Sequence, residues 1–491
     1  MRTSIGVAIF IIYISILLLI AYLSSDKESN NDLFFTSNRD AKWSLVAFGM
    51  IGASLSGITF ISVPGEVGNN NFYYLQIVIG YMVGYTVISY ILIPLYYKLK
   101  LVSIYEYLGN RFGRTSQKAG AIFFLVSQAV GASLRLLIVA LVLQKILFDN
   151  LNIPFEATVI FILFFIWLYT KNGGIKTIIY TDTLQTLFIL IALFTMLIYI
   201  MDQINVTSVD LSNILISQLP ELVFNWEFNE GSNFFKQFIA GVFIAISMTG
   251  LDQNMMQKSL ACKSIKESQK NILFFSIALF LTNLLFLILG FLLFEFIKFR
   301  NISFPKDVSG EFINTDQIYG TLALEHTPEW IGIIFLLGVI AASFSSADSS
   351  MTALTTSAYQ DLFFKVKKNP KKLRKQIHMV VVFVVLIIIL CFYYIKDDSI
   401  INYALLAAGY TYGPLLGLFT FGLVTNYRIK ETKVPFICIL SPILTFGISE
   451  FTLDFLNFNI GFLVLPINGL ITFFLLLMIK DKALFSKSIF K

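Results

Sequence analysis

Apolar residues fall in long uninterrupted blocks along this chain, separated by short polar stretches. Thirteen blocks reach or approach the roughly 20 residues that an α-helix needs to cross a bilayer. They lie near 5–23, 44–65, 72–96, 119–147, 155–169, 178–200, 234–255, 271–297, 329–360, 378–395, 401–424, 435–453 and 459–479. The block at 155–169 is the shortest. The first, 5–23, is longer than the apolar part of a usual signal peptide and no A-x-A site follows it, so it is read as a retained helix. The connections near 201–233 and 298–328 are too short for a separate soluble domain. The pattern predicts an all-α membrane protein of about 13 transmembrane helices, folded as one domain over residues 1–491.

Composition agrees with this reading. Of 491 residues, 57% are hydrophobic and 13% charged. Soluble domains run at about 45–50% apolar and about 25% charged. The mean hydropathy is +0.77. A soluble enzyme and a disordered chain are both excluded. The three cysteines (Cys262, Cys391, Cys438) and two histidines (His326, His378) form no Cys-x-x-Cys or His-x-x-x-His spacing. A disulfide framework, a zinc site and a haem site lack ligands, and no nucleophile–base pair or phosphate loop is present. Neither an enzyme nor an organic cofactor is expected.

The net charge of +6 raises the question of nucleic acid, which the distribution of charge answers. With the connection after 5–23 in the cytoplasm, alternating segments place 28 of the 36 Lys/Arg inside and 6 outside. Only Arg135 and Lys145 remain, and Lys145 lies where it can snorkel to the outer interface. The run KVKKNPKKLRK at 365–375 carries seven bases and no acid, whereas 201–235 carries five acids and no base. The basic surplus is a topology signal, and no nucleic-acid partner is expected. The N-terminus is placed outside, with Arg2 a minor violation, and the C-terminus in the cytoplasm. The partners expected are the bilayer and small solutes, with no obligate protein partner, and the location is a plasma membrane, or the inner membrane in a Gram-negative bacterium.

Polar side chains in lipid are costly, which makes those that remain functional candidates. In GASLSGITFISVPG, from Gly52 to Gly65, two glycines and several hydroxyls interrupt an apolar helix. A break around Ser54, Leu55 and Ser56 would free carbonyls for a cation, and the alternative is close packing of small residues. In GVIAASFSSADSSMTALTTSAYQD, Ala342, Ser345, Ser346 and Ser349 share one helix face, and Ser345, Asp348, Ser349 and Thr352 form an overlapping stripe. Their oxygens suit a hard cation; a lone serine there would instead bond back to its own helix. Asp182, in GGIKTIIYTDTLQ, is a further acid, with helix capping as its alternative role. Arg135, in VGASLRLLIVALV, is read as the one base near the midplane. It needs a substrate carboxylate or an internal acid such as Glu66. Asp252 and Glu66 are weaker candidates, and Phe72, Tyr73 and Tyr74 suit either a cavity lid or an interfacial belt.

Taken in order, these motifs resemble the sodium:solute symporter family. The similarity runs through GASLSGITFISVPG, SIYEYLGNRFG (103–113), NGGIKTIIYTDTLQ, DQNMMQKSLACKS (252–264) and AASFSSADSSMTALTTSAYQDL. The resemblance implies the LeuT-type fold, a 5+5 inverted repeat over about 44–424 with one extra helix before it (5–23) and two after it (435–479). It implies a main sodium site from the carbonyls of Gly52, Leu55 and Ala342 and the hydroxyls of Ser345 and Ser346. A possible additional cation site falls on Asp182, Ser345, Asp348 and Ser349. There Asp348 replaces a hydroxyl, which leaves ion stoichiometry and proton coupling open. Bacterial sialic acid symporters resemble the chain most closely in these motifs, and their substrate positions fall on Ser54, Ser56, Thr59, Tyr74 and Arg135. Their helix-2 glutamine does not match cleanly; it aligns with Val78, and the nearby Gln76 is taken as the sixth substrate-binding candidate.

The expectation is a sodium-coupled importer of a small organic solute, a carboxylate such as sialic acid, working by alternating access. A sugar or proline-like substrate with Arg135 structural, a proton-coupled carrier, a sodium channel and a transporter-like sensor are the rivals. The basic tail KDKALFSKSIFK contains no output module for a sensor.

Overall fold

The computed structural model describes residues 3–24, 31–207, 209–211, 213, 221–307, 310–313, 315–363, 369–395 and 398–484. Arg2, residues 365–368 of the basic run and residues 485–491 of the tail lie outside them. The long helices are α1 (Thr3–Ser24), α2 (Trp43–Ser54), α3 (Gly57–Asn70), α4 (Tyr74–Lys98), α5 (Arg114–Leu143), α6 (Phe155–Gln203), α7 (Phe234–Gly250), α8 (Gln253–Leu260), α9 (Ile265–Arg300), α10 (Glu329–Leu362), α11 (Pro370–Ile395), α12 (Asp398–Val424), α13 (Val434–Leu456) and α14 (Val464–Met478). Among the described residues nine helices are long and apolar enough to cross a membrane, or up to eleven when each of two bent pairs counts as one span. The only strands among the described residues, β1 (Tyr427–Ile429) and β2 (Lys480–Leu484), pair antiparallel.

The predicted blocks at 155–169 and 178–200 lie in one element, α6, which breaks at Gly174 (φ 53°, ψ −135°). This left-handed backbone favours glycine, and a Cβ there would also meet the Phe34 ring and carbonyl.

The two bent pairs are α2–α3 (57°) and α7–α8 (65°). Each is built by a polar cap inside an apolar span. Ser56 ends the first break: its side chain accepts from the Thr59 amide and caps α3. Asp252 does the same for α8, accepting from the amides of Asn254 (2.7 Å) and Met255 (3.2 Å). The glycines of α2 also serve packing. A Cβ at Gly49 would come within 2.9 Å of the Asp182 Cβ, and one at Gly52 would overlap Thr186. Thus α2 approaches α6 at close range, tied by a hydrogen bond from the Gly52 amide to Thr186 Oγ1 (3.0 Å). The two readings of the small-residue motif, a chain break and close packing, describe different faces of one helix.

Candidate functional site

The break in α2–α3 redirects hydrogen bonds in a specific way. The Ser56 amide, which would close the helical bond to the Gly52 carbonyl, donates to Ser54 O (3.0 Å). The Thr59 amide, which would close the bond to the Leu55 carbonyl, donates to Ser56 Oγ (3.3 Å). Two carbonyls therefore lose their regular helical donors, and unwound backbone carbonyls of this kind coordinate cations. They belong to Gly52 and Leu55, the two named from the sequence. Helix α10 packs against α2. On it, Ala342 and Ser345 are fully buried, and the buried Ser346 hydroxyl has no hydrogen-bond partner among the described residues. A buried polar atom left unpartnered is costly unless a ligand completes it.

Next to these groups lies a dense polar cluster. Lys258 Nζ is 2.6 Å from Asp182 Oδ2, and both side chains are 1% exposed. Ser345 Oγ donates to Asp182 Oδ1 (2.5 Å) and Ser349 Oγ lies 3.4 Å from Asp182 Oδ2. Asp348 accepts from Tyr169 OH (2.7 Å) and Ser349 Oγ (3.2 Å). The four residues of the predicted additional cation site are thus brought together, with the Lys258 ammonium on the carboxylate of Asp182. Asp182 is no helix cap: it lies well inside α6 and joins α8 and α10. Because a hydroxyl offers one donor and two lone pairs, Ser345 can give its proton to Asp182 and still present oxygen toward Ser346 and α2.

Lys258 was not picked out in the sequence. Charge counting places it among the cytoplasmic bases after 234–255, and Arg135 is read as the one base near the midplane. The structure buries Lys258 in the helix core. All of α8 from Gln253 to Leu260 is buried, although it is the most polar stretch of the core. Gln257, beside Lys258, donates to Phe35 O (2.7 Å) and Thr356 Oγ1 (2.9 Å), which holds the helix against α10. The run of amides after Asp252 was the available signal, because polar residues following a capped break read as loop by hydropathy alone.

A cavity of about 340 Å³ opens where the two breaks meet. Ser54, Ser56, Thr59, Tyr74 and Arg135 all line it. Arg135 Nε donates to Gly131 O of its own helix (2.9 Å). Among the described residues no carboxylate lies within ion-pair distance of its guanidinium, and Glu66 instead accepts from Asn70 (2.5 Å). Asp252 shares the cavity, but its carboxylate accepts from Tyr412 and caps α8. Tyr412, Asn254 and Asn283 also line the cavity and were not anticipated. The side-chain carbonyls of both asparagines are buried without partners among the described residues.

Gln76 requires a correction. It is fully buried and does not line the cavity. Its amide donates to Tyr73 O (3.2 Å) and Ser232 O (3.0 Å), and its carbonyl accepts from the Asn225 amide (3.4 Å). Two residues along a helix turn the side chain by about 200°, so Gln76 faces away from Tyr74, Tyr81 and Tyr85, which line the cavity. Val78 is buried but is not part of the lining.

Comparison with known proteins places this geometry in context. The model of the Sodium:solute symporter family matches residues 34–431. The sodium/sialic acid symporter of Aliivibrio fischeri is 25% identical over 429 residues, covering 85% of this chain and 82% of that protein. The sodium-coupled monocarboxylate transporter 2 of Mus musculus is 23% identical over 408 residues, covering 81% of this chain and 64% of that longer protein. Among solved structures, a substrate-bound, outward-open Na+-coupled sialic acid symporter aligns with a TM-score of 0.80 at 20% identity, over 98% of this chain and 99% of that one. The two share a fold.

Proposed function

The chain belongs to the sodium:solute symporter family, and on that premise we propose that it imports a small organic carboxylate together with sodium by alternating access. Sialic acid is the leading example. The observation that carries this reading is Arg135, a half-buried guanidinium in a cavity at two helix breaks with no carboxylate of the described residues in ion-pair contact with it. Its planar donor fork matches a carboxylate. The capped N-terminus of α3 opens on the same cavity and adds positive potential. The two relatives described above are named for substrates that are carboxylates. The unpartnered carbonyls of Asn254 and Asn283 suit the hydroxyls of a polyol chain.

In this reading the main sodium ion is cargo held by the carbonyls of Gly52, Leu55 and Ala342 and the hydroxyls of Ser345 and Ser346. By tying α2 to α10 it favours the conformation that receives substrate. Release of both to the cytoplasm is driven by the sodium gradient and the membrane potential, the latter worth about 2.3 kcal/mol per charge per 100 mV. The architecture we assign is the 13-helix, 5+5 inverted-repeat arrangement in one domain, with the N-terminus outside.

The test is thermal stability of the purified protein in sodium against potassium, across sialic acid, other organic anions, sugars and amino acids. A ligand of the folded state raises apparent stability as its concentration exceeds its Kd. A carboxylate is expected to stabilise only when sodium is present. Stabilisation by neutral solutes alone would make Arg135 structural, and a lack of any sodium effect would favour proton coupling. Ser346→Ala removes the unpartnered hydroxyl and is expected to raise the half-saturating sodium concentration about tenfold, since a hydrogen-bonding group facing a charge contributes about 1.5–3 kcal/mol. Unchanged sodium affinity in Ser346→Ala with Ser345→Ala would place the ion elsewhere.

A further inference from the structure

We propose that Lys258 is a tethered cation that permanently occupies the carboxylate of Asp182, on which Ser345 and Ser349 also converge, leaving this chain a single sodium site. The inference rests on the sodium-symport reading and specifies its ion count. Lys258 Nζ sits 2.6 Å from Asp182 Oδ2, Ser345 Oγ donates to Asp182 Oδ1 and Ser349 Oγ lies 3.4 Å from Oδ2. A buried carboxylate flanked by hydroxyls suits a hard cation. An ammonium, with three donors and no acceptor, can take that cation's place at the carboxylate. The lysine is fixed in this role by its helix, which is buried throughout and anchored through Gln257 to Phe35 and Thr356.

Charge balance is compatible with the same count. Asp182 and Asp348 can supply two formal negative charges to this buried cluster and Lys258 supplies one positive charge. Asp348 accepts from the hydroxyls of Tyr169 and Ser349. A buried net charge is expensive, and either one further monovalent cation or a proton on Asp348 removes it. The unpartnered Ser346 hydroxyl, two residues before Asp348, and the carbonyls released in α2 provide the place for that ion.

The experiment counts ions directly, with 22Na+ bound at saturation to purified wild-type protein and to Lys258→Met. Wild type is expected to bind one sodium per chain. Lys258→Met, which keeps an unbranched apolar side chain but removes the ammonium, is expected to bind two. Two sodium ions on wild type would overturn the inference while leaving sodium symport intact. None on wild type would overturn the sodium-symport reading itself. A count of one on folded Lys258→Met would show that the lysine occupies no cation site. If Lys258→Met does not fold, the wild-type count alone decides.

Discussion

Arg135→Ala is expected to reduce the apparent affinity for a carboxylate substrate about 100-fold while leaving the sodium-dependent stabilisation of the protein unchanged. The magnitude follows from the chemistry of the fork. A hydrogen bond to a charged group contributes about 1.5–3 kcal/mol, and about 1.4 kcal/mol is a factor of ten. Among the described residues the guanidinium bonds only to Gly131 O of its own helix through Nε, so its remaining donors are available in the cavity. No acid of the described residues is in ion-pair contact with it, and Asp252 keeps its hydrogen bonds from Tyr412 and the α8 amides, so a large loss of stability is not expected. Arg135→Lys keeps the charge without the planar fork and should fall between wild type and alanine. Uptake kinetics or substrate-dependent thermal shifts distinguish these outcomes. If carboxylate affinity survives in Arg135→Ala, the substrate is recognised by other groups.

The second large effect concerns stability. Asp182→Ala is expected to destabilise the protein by about 3–5 kcal/mol, the cost of leaving one member of a buried ion pair alone. Lys258, 1% exposed, would then be buried without its counter-ion, and Ser345 and Ser349 would lose the carboxylate they contact. Removing both charges in Asp182→Ala with Lys258→Met should recover most of that loss, because the desolvation cost of the pair disappears with it. Unfolding in detergent of the single and double variants provides the comparison. Equal stability of Asp182→Ala and wild type would mean that the pair contributes nothing to the fold.

These two sites differ in how far the sequence discloses them. Hydropathy marks apolar helices well, and the interruption at Ser54–Ser56 stands out because glycines and hydroxyls break an otherwise apolar block. The break falls there, at Leu55 and Ser56. The serine stripe of α10 is legible for the same reason, since helical spacing alone puts Ser345, Ser346 and Ser349 near one face. Lys258 is not legible. It follows a polar run that hydropathy assigns to the cytoplasm, and only tertiary packing of α8 against α10 and the Phe35 segment reveals that the run is core. Asn254 was hidden in the same way. Asn283 and Tyr412 sit singly in apolar helices, where one polar side chain carries little signal until the cavity is known. Gln76 shows the opposite failure: adjacency in sequence suggested a pocket residue, and helical rotation turned it toward Asn225 and Ser232 instead.

The cation cluster also bears on why this chain needs its particular glycines. Gly49 faces the Cβ of Asp182 and Gly52 faces Thr186, so the helix carrying the released carbonyls lies directly against the helix carrying the ion pair. Thr186 accepts from the Gly52 amide and donates to Asp182 O (2.8 Å). The proposed sodium position at the carbonyls of α2 and the charge pair between α6 and α8 are therefore linked through one threonine and close backbone packing.

The most direct test of coupled transport is sialic acid uptake into liposomes containing the purified protein, under an inward sodium gradient and under an equal potassium gradient. The account predicts saturable accumulation above the external concentration with sodium, abolished when the gradient is collapsed and competed by other carboxylates. Uptake that proceeds equally in potassium, or accumulation of neutral solutes with no carboxylate competing, would contradict it.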